Sequence, residues 1–174
     1  MPEGRAFLSL PTKILLPIDF SPSSQAALEM ATDLAQHFHA ELHLLNVIPL
    51  FPTTSFPDLL SESNFLQEAR TFAEGHLAKC EATLSAKGMK STSSIEVGND
   101  VAGNIMEVVE REQIDMVVIS THGISGWRPL VFGSIAEQVV RHVQCPLLLL
   151  RSASAEAGDT IRNGARSEFA AAKA

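Results

Sequence analysis

The stretch Lys13–Phe38 reads "KILLPIDFSPSSQAALEMATDLAQHF". Its opening, Lys13–Asp19, is a run of leucine and isoleucine with one proline, the composition of a strand buried on both faces of a parallel sheet. Ser21 carries a short side-chain oxygen suited to capping a helix. Pro22 fits the first helical position, where its missing N–H costs nothing. Leu28, Ala31, Leu34, Ala35 and Phe38 then recur at helical spacing. The stretch predicts a strand, a tight turn and a helix.

Downstream the pattern repeats. "ELHLLNVI" (Glu41–Ile48) reads as a second strand, and "PLFPTTSFPDLLSES", with Pro49, Pro52 and Pro57, as a long loop. A helix is expected to follow through about Lys87, with Phe65, Ala69, Phe72, Ala73, Cys80 and Leu84 on one face and Gly88 closing it. "STSSIEV" is a more polar strand suited to a sheet edge. "GND" opens a third helix with Ile105, Val108 and Val109 as its buried stripe. "IDMVVIS", "GSIAEQVVRHV" and "CPLLLLR" complete the alternation as strand, helix and strand. Arg141 and His142 complement the dipole at the last helix's end. Alternating strands and helices imply right-handed crossovers and a parallel sheet covered on both faces, an α/β fold of three layers.

The 174 residues fit one domain, and 45% hydrophobic with 19% charged residues is a globular profile. A net charge of -7 argues against a broad nucleic-acid footprint, which needs clustered Lys and Arg. No segment has the run of roughly 18 apolar residues that a membrane span requires, and Met1–Lys13 lacks the apolar core of a secretory signal. A cytoplasmic protein is expected. Cys80 and Cys145 stand far apart without metal-ligand spacing and read as thiols in a reducing compartment. His37, His39 and His43 straddle a helix end and a strand start without a carboxylate or thiolate pattern, so no metal site is assigned to them. The expected division is an extension over 1–12, one domain over 13–151 and a mobile tail over 152–174.

Between the last two strands lies "STHGISGWRPLVFGS", Ser120–Ser134. In an open α/β sheet, ligands bind beyond the carboxyl ends of the strands, where the strand order reverses. A glycine-rich loop that returns to a helix start offers unpaired N–H groups and close backbone approach, which suits a phosphate chain. A structural turn would use the same glycines. Neither a P-loop G-x-x-x-x-G-K-S/T nor a G-x-G-x-x-G after the first strand is present.

"PIDFSPSSQAAL", "LLNVI" and the segment from Val97 to Arg151, in this order, resemble the universal stress protein family over roughly Lys13–Arg151. The family's nucleotide motif, G-x2-G-x9-G-S/T, is matched by Ser120, Gly123 and the Gly133-Ser134 pair, with Ser120 in place of the first glycine. A serine there costs something like 1–2 kcal/mol if the position is left-handed. The resemblance implies a Rossmann-like, adenine nucleotide alpha hydrolase-like sheet of five parallel strands in the order 3-2-1-4-5. It also implies ATP as ligand, with Mg²⁺ or Mn²⁺ on its phosphates. By the same resemblance, Pro17, Ile18 and Asp19 meet the nucleoside, and Val47 meets adenine through its backbone. Ile119, Ser120, Thr121, His122, Gly123, Gly133, Ser134 and Ile135 would surround the phosphates. Asp19 and Ser134 have simpler alternatives as helix caps.

Three functions fit these readings. One is an ATP-binding regulatory protein of the stress response. Another is a slow ATPase or autophosphorylating protein, for which no convincing general base stands in the loop. The third is a nucleotide-independent dimeric interaction module. In the implied strand order the apolar 146–150 segment is a sheet edge, and pairing with its copy in a homodimer would cover it.

Overall fold

The computed structural model describes residues 10–50, 59–121 and 133–151. The chain runs β1 (Lys13–Pro17), α1 (Pro22–Phe38), β2 (Glu41–Ile48), α2 (Leu59–Ala86), β3 (Ser91–Val97), α3 (Val101–Arg111), β4 (Met116–Ser120), α4 (Ser134–His142) and β5 (Leu147–Leu150). The strands form one parallel sheet in the order β3-β2-β1-β4-β5. This is the expected α/β architecture and strand order.

Alternation along the central strands divides the core into two layers. Ile14 and Leu16 of β1 join Leu42 and Leu44 of β2, Val118 of β4, and residues of α1 and α2. Leu15, Leu45, Val117 and Ile119 join Ile105 and Val108 of α3 and Ala136 and Val139 of α4 on the opposite face. Ile14, Leu15 and Leu16 are each fully buried, which requires helices on both sides of the sheet. The crossovers supply them, with α1 and α2 over one face and α3 and α4 over the other.

The helix ends follow the sequence closely. Ser21 caps α1, its side chain accepting from the Ser24 N–H at 3.2 Å, and Pro22 opens the helix. Asp100 caps α3 by accepting from the Gly103 N–H at 2.9 Å. Gly88, with φ 72°, turns the chain out of α2. Two expectations change. First, α2 begins at Leu59, inside the segment read as loop, because Pro57 is the last helix breaker before a run of good helix formers. Second, Phe72 is 57% exposed and not part of a continuous buried face. Among the residues of α2 whose burial is described, 62–86, the buried ones are Ala73, Leu77 and Leu84, all in the helix's later half. A helix of 28 residues, roughly 42 Å long, outruns the strands it packs on.

Thr12 belongs to the packed domain. Its N–H and hydroxyl both donate to Asp115, the hydroxyl at 2.6 Å, which ties the chain to the turn before β4. The tail over 152–174 and most of the N-terminal extension lie outside the described residues. Cys80 and Cys145 are half-buried, and burial together with Glu81 pushes the Cys80 thiol up. Among the described residues, no helix is long and apolar enough to cross a membrane.

His43 is buried within β2, and its two ring nitrogens lie 2.9 Å from Thr92 Oγ1 and 2.9 Å from Ser94 Oγ on β3. The Thr92 hydroxyl donates to Glu41 at 3.1 Å, so it accepts from His43 Nδ1–H, and Nε2 is left to accept from the Ser94 hydroxyl. Burial holds the imidazole below its ordinary value of 6.5, with Glu112 and Glu41 opposing and Lys13 and Arg111 assisting. The neutral ring therefore contributes stability that is full above about pH 6.5 and declines as pH falls through the lowered folded value. Thermal melts from about pH 7 to about pH 5 should fall more steeply for the wild type than for His43→Gln, and equal slopes would contradict this.

Candidate functional site at the carboxyl ends of β1 and β4

The strand order reverses between β1 and β4, since the chain proceeds from β1 toward β3 and then returns across to β5. The helices that follow these two strands, α1 and α4, pack on opposite faces of the sheet, the arrangement in which open α/β sheets place a ligand crevice. Sequence reasoning assigned its residues to this end of the sheet, and most of the described ones are there.

On the β1 side, Pro17 ends the strand opposite Leu45. Ile18 is buried, and its N–H donates to the Leu45 carbonyl at 2.8 Å. Asp19 follows, half-buried, and its Oδ1 accepts from the Ser21 N–H at 3.1 Å. Asp19 therefore steadies the entry to α1 while Ser21 performs the capping itself. The structural role expected of Asp19 is present, and it occupies one carboxylate oxygen.

β2 outruns β1 by three residues, Asn46, Val47 and Ile48, all still paired with β3. In a parallel strand, successive residues turn their backbone groups to alternate neighbours. The Leu45 carbonyl serves β1 and the Ile48 carbonyl serves Gly98 beyond β3, so the peptide groups of Val47 point to the side where β1 has ended. That is the orientation a backbone contact with a ligand in the crevice requires.

On the β4 side, Ile119 is buried and Ser120 is the last strand residue, paired with Leu150. Ser120 lies in extended strand, so a serine here carries none of the left-handed penalty. Thr121 is buried, its N–H donates to Leu150 and its carbonyl accepts from Gly133, at 2.8 and 2.9 Å. Thr121 thus acts as a clasp between β4, β5 and the start of α4. His122, Gly123, Gly126 and Trp127 lie outside the described residues.

Gly133 has φ -58°, a conformation open to any residue. Its small size matters for another reason. A Cβ at Gly133 would lie 3.1 Å from the Thr121 carbonyl oxygen, tighter than ordinary contact. Gly133 is also the N-cap of α4, and no side chain caps that helix among the described residues, unlike α1 and α3. Ser134 is the first helical residue and not the cap, as one alternative had it, and Ile135 beside it is 40% exposed. The amides opening α4 therefore stand at the positive end of the helix with no serine or aspartate cap.

Sequence reasoning missed Asn46. It is buried, and its Nδ2 donates to the Ile18 carbonyl at 2.7 Å, bridging the end of β2 to the turn before Asp19. A polar residue inside the apolar run "LLNVI" was the available signal, since a buried amide needs partners. The groove between α2 and β3, about 290 Å³, is a poorer candidate. It lies at the other edge of the sheet and sets Arg70 against Glu74 and Glu81, leaving no field of one sign for a ligand.

A model of the universal stress protein family matches residues 11–151. The chain belongs to the universal stress protein family. Universal stress protein MJ0531 of Methanocaldococcus jannaschii is 29% identical over 154 residues, spanning 83% of this chain and 84% of that protein. The solved structure of hypothetical protein MJ0577 superposes with a TM-score of 0.74 at 24% identity, covering 84% of this chain and 100% of that one. A universal stress protein in complex with cAMP superposes at 0.60 with 20% identity, covering 83% and 100%. The sheet order and two-faced helical cover described above are those of this family's fold.

Replacing Asn46 by leucine strands the Ile18 carbonyl without its donor beside the crevice. Denaturant unfolding of Asn46→Leu should show a loss of about 1–3 kcal/mol. An unchanged midpoint would mean that the bridge carries no stability.

Proposed function

We propose that this protein binds ATP in the crevice between β1 and β4 and acts as a nucleotide-linked regulatory protein of the cytoplasmic stress response. Asp19, with Pro17 and Ile18, meets the nucleoside, and the Val47 backbone meets adenine. The phosphates lie against the start of α4 at Gly133, Ser134 and Ile135 and against the loop after Ile119, Ser120 and Thr121, which includes His122 and Gly123. Mg²⁺ or Mn²⁺ accompanies the phosphates.

The observation that carries this reading is the meeting, at one reversal of strand order, of a carboxylate and a helix start without a side-chain cap among the described residues. A carboxylate accepts from ribose hydroxyls or an adenine amine, and helix-opening amides attract a phosphate without any basic residue. Further support comes from the relative with a similar fold that was solved in complex with cAMP. In a titration followed by calorimetry, ATP should bind saturably, and Asp19→Ala should weaken it by about 10-fold or more, the cost of losing a charge-assisted hydrogen bond. Absence of saturable binding at millimolar ATP overturns the proposal.

The partner in this reading is a second copy of the same chain. β5 is an edge strand, and Leu147–Leu150 are all half-buried, an apolar edge that no element of this chain covers among the described residues. Pairing of two such edges satisfies their backbone groups and removes leucine from water. Sedimentation should give a dimer at micromolar concentration, and ATP should shift the equilibrium if nucleotide and assembly are linked. A nucleotide-indifferent dimer favours an interaction module instead, and a monomer contradicts the edge-strand pairing.

A further inference from the structure

We infer that Phe72 and His76, on α2, are positioning residues for the nucleotide site, acting on Asp19 through the strained backbone of Phe20. The inference rests on the reading of Asp19 as a nucleoside contact.

Phe20 has φ 61°, a left-handed conformation that costs a bulky side chain roughly 1–2 kcal/mol and that persists only where the surroundings impose it. It sits between Asp19 and Ser21, the two residues joined by the hydrogen bond from the Ser21 N–H to Asp19 Oδ1. A relaxation of Phe20 to negative φ would rotate the following peptide and carry the Ser21 N–H away from that carboxylate. The conformation of Phe20 is therefore one determinant of where the Asp19 carboxylate stands.

Three contacts hold Phe20. Its ring packs against the core layer beneath α1 and α2. Phe72 meets it edge-on, with centroids 5.8 Å apart and planes at 78°. His76 lies against it at 4.9 Å. His76 is itself oriented, because its Nδ1 donates to the Phe72 carbonyl one turn earlier at 2.9 Å, and its ring stacks on that of Phe72 at 4.0 Å. The two α2 residues form a rigid pair with one face toward Phe20.

Burial does not account for Phe72. At 57% exposure it gains little from the core, and over 62–86 of α2 the first buried residue is Ala73. Its contacts with Phe20 and His76 are what the ring gains. The turn is held from its other flank as well, where Asn46 and Leu45 grip Ile18. Asp19 thus stands between two anchors, one on β2 and one on α2.

The test is a set of variants, Phe72→Ala, Phe72→Tyr, Phe20→Gly and the double Phe20→Gly/Phe72→Ala, with two measurements on each. One is ATP affinity, and the other is amide hydrogen exchange at Ser21 in the ligand-free protein, with thermal melts to confirm that each variant is folded. Phe72→Ala should weaken ATP by about 2- to 10-fold, the span of aromatic pair energies, and speed exchange at Ser21. Phe72→Tyr keeps the ring and should match the wild type. Glycine adopts positive φ without a ring to be held, so in the Phe20→Gly background Phe72→Ala should add no further loss. An unchanged Ser21 exchange rate in Phe72→Ala, or an equal loss of affinity in both backgrounds, overturns the inference. If the wild type fails to bind ATP, the proposed function falls separately, and Ser21 exchange alone decides whether α2 sets Asp19.

Discussion

The constraint on which the rest of this structure depends is the complete burial of β1. Ile14 and Leu16 face one layer and Leu15 the other, all three without exposure. A strand so placed must have neighbours on both edges and helices on both faces. β2 and β4 supply the edges, and because connections are right-handed, the chain has to build outward on one side before crossing to the other. The crevice between β1 and β4 is the geometric remainder of that requirement. It is where the helices that follow adjacent strands pack on opposite layers.

Given that opening, the local chemistry follows from how each strand stops. β1 ends early, at Pro17, and β2 continues for three more residues, which turns the Val47 peptide toward the gap. β4 ends at Ser120, and Thr121 spends its own backbone groups on Leu150 and Gly133. That clasp fixes the first residue of α4 relative to the sheet. The lack of a Cβ at Gly133 allows the approach to Thr121 that the clasp needs. The site is thus held by backbone bonds from three strands and needs few side chains of its own.

Much of this was legible in the sequence, for physical reasons that differ from element to element. The core strands announced themselves because burial on two faces demands unbroken apolar runs, and Ser21-Pro22 marked a helix start because few residue pairs suit that position so well. Phe72 was misread because helical periodicity reports which residues share a face and not how far the opposing sheet extends. The start of α2 was misread because serine and glutamate after a proline-rich segment read as loop, although nothing in Leu59–Ser63 breaks a helix. Asn46 and Phe20 escaped notice because their roles are relational. One depends on a carbonyl 28 residues away in sequence, and the other on a left-handed φ that no composition encodes for phenylalanine.

These relational contacts also explain why the ends of the sheet differ in character. At the amino end, Lys13, Glu41, Glu112 and Arg111 form a chain of ion pairs beside the satisfied His43, which Arg111 extends to Glu96 further along β3, with Asp115 gripping Thr12. These pairs are partly exposed, and each contributes modestly. At the carboxyl end Phe20 takes a left-handed φ, as His39 and Gln113 do at the amino end, and α4 opens at Gly133 without a side-chain cap among the described residues. Both choices cost stability that a purely structural turn and a capped helix would have kept. Left-handed residues occur at both ends, so what sets the proposed site apart is the helix start near Asp19 that carries no side-chain cap among the described residues.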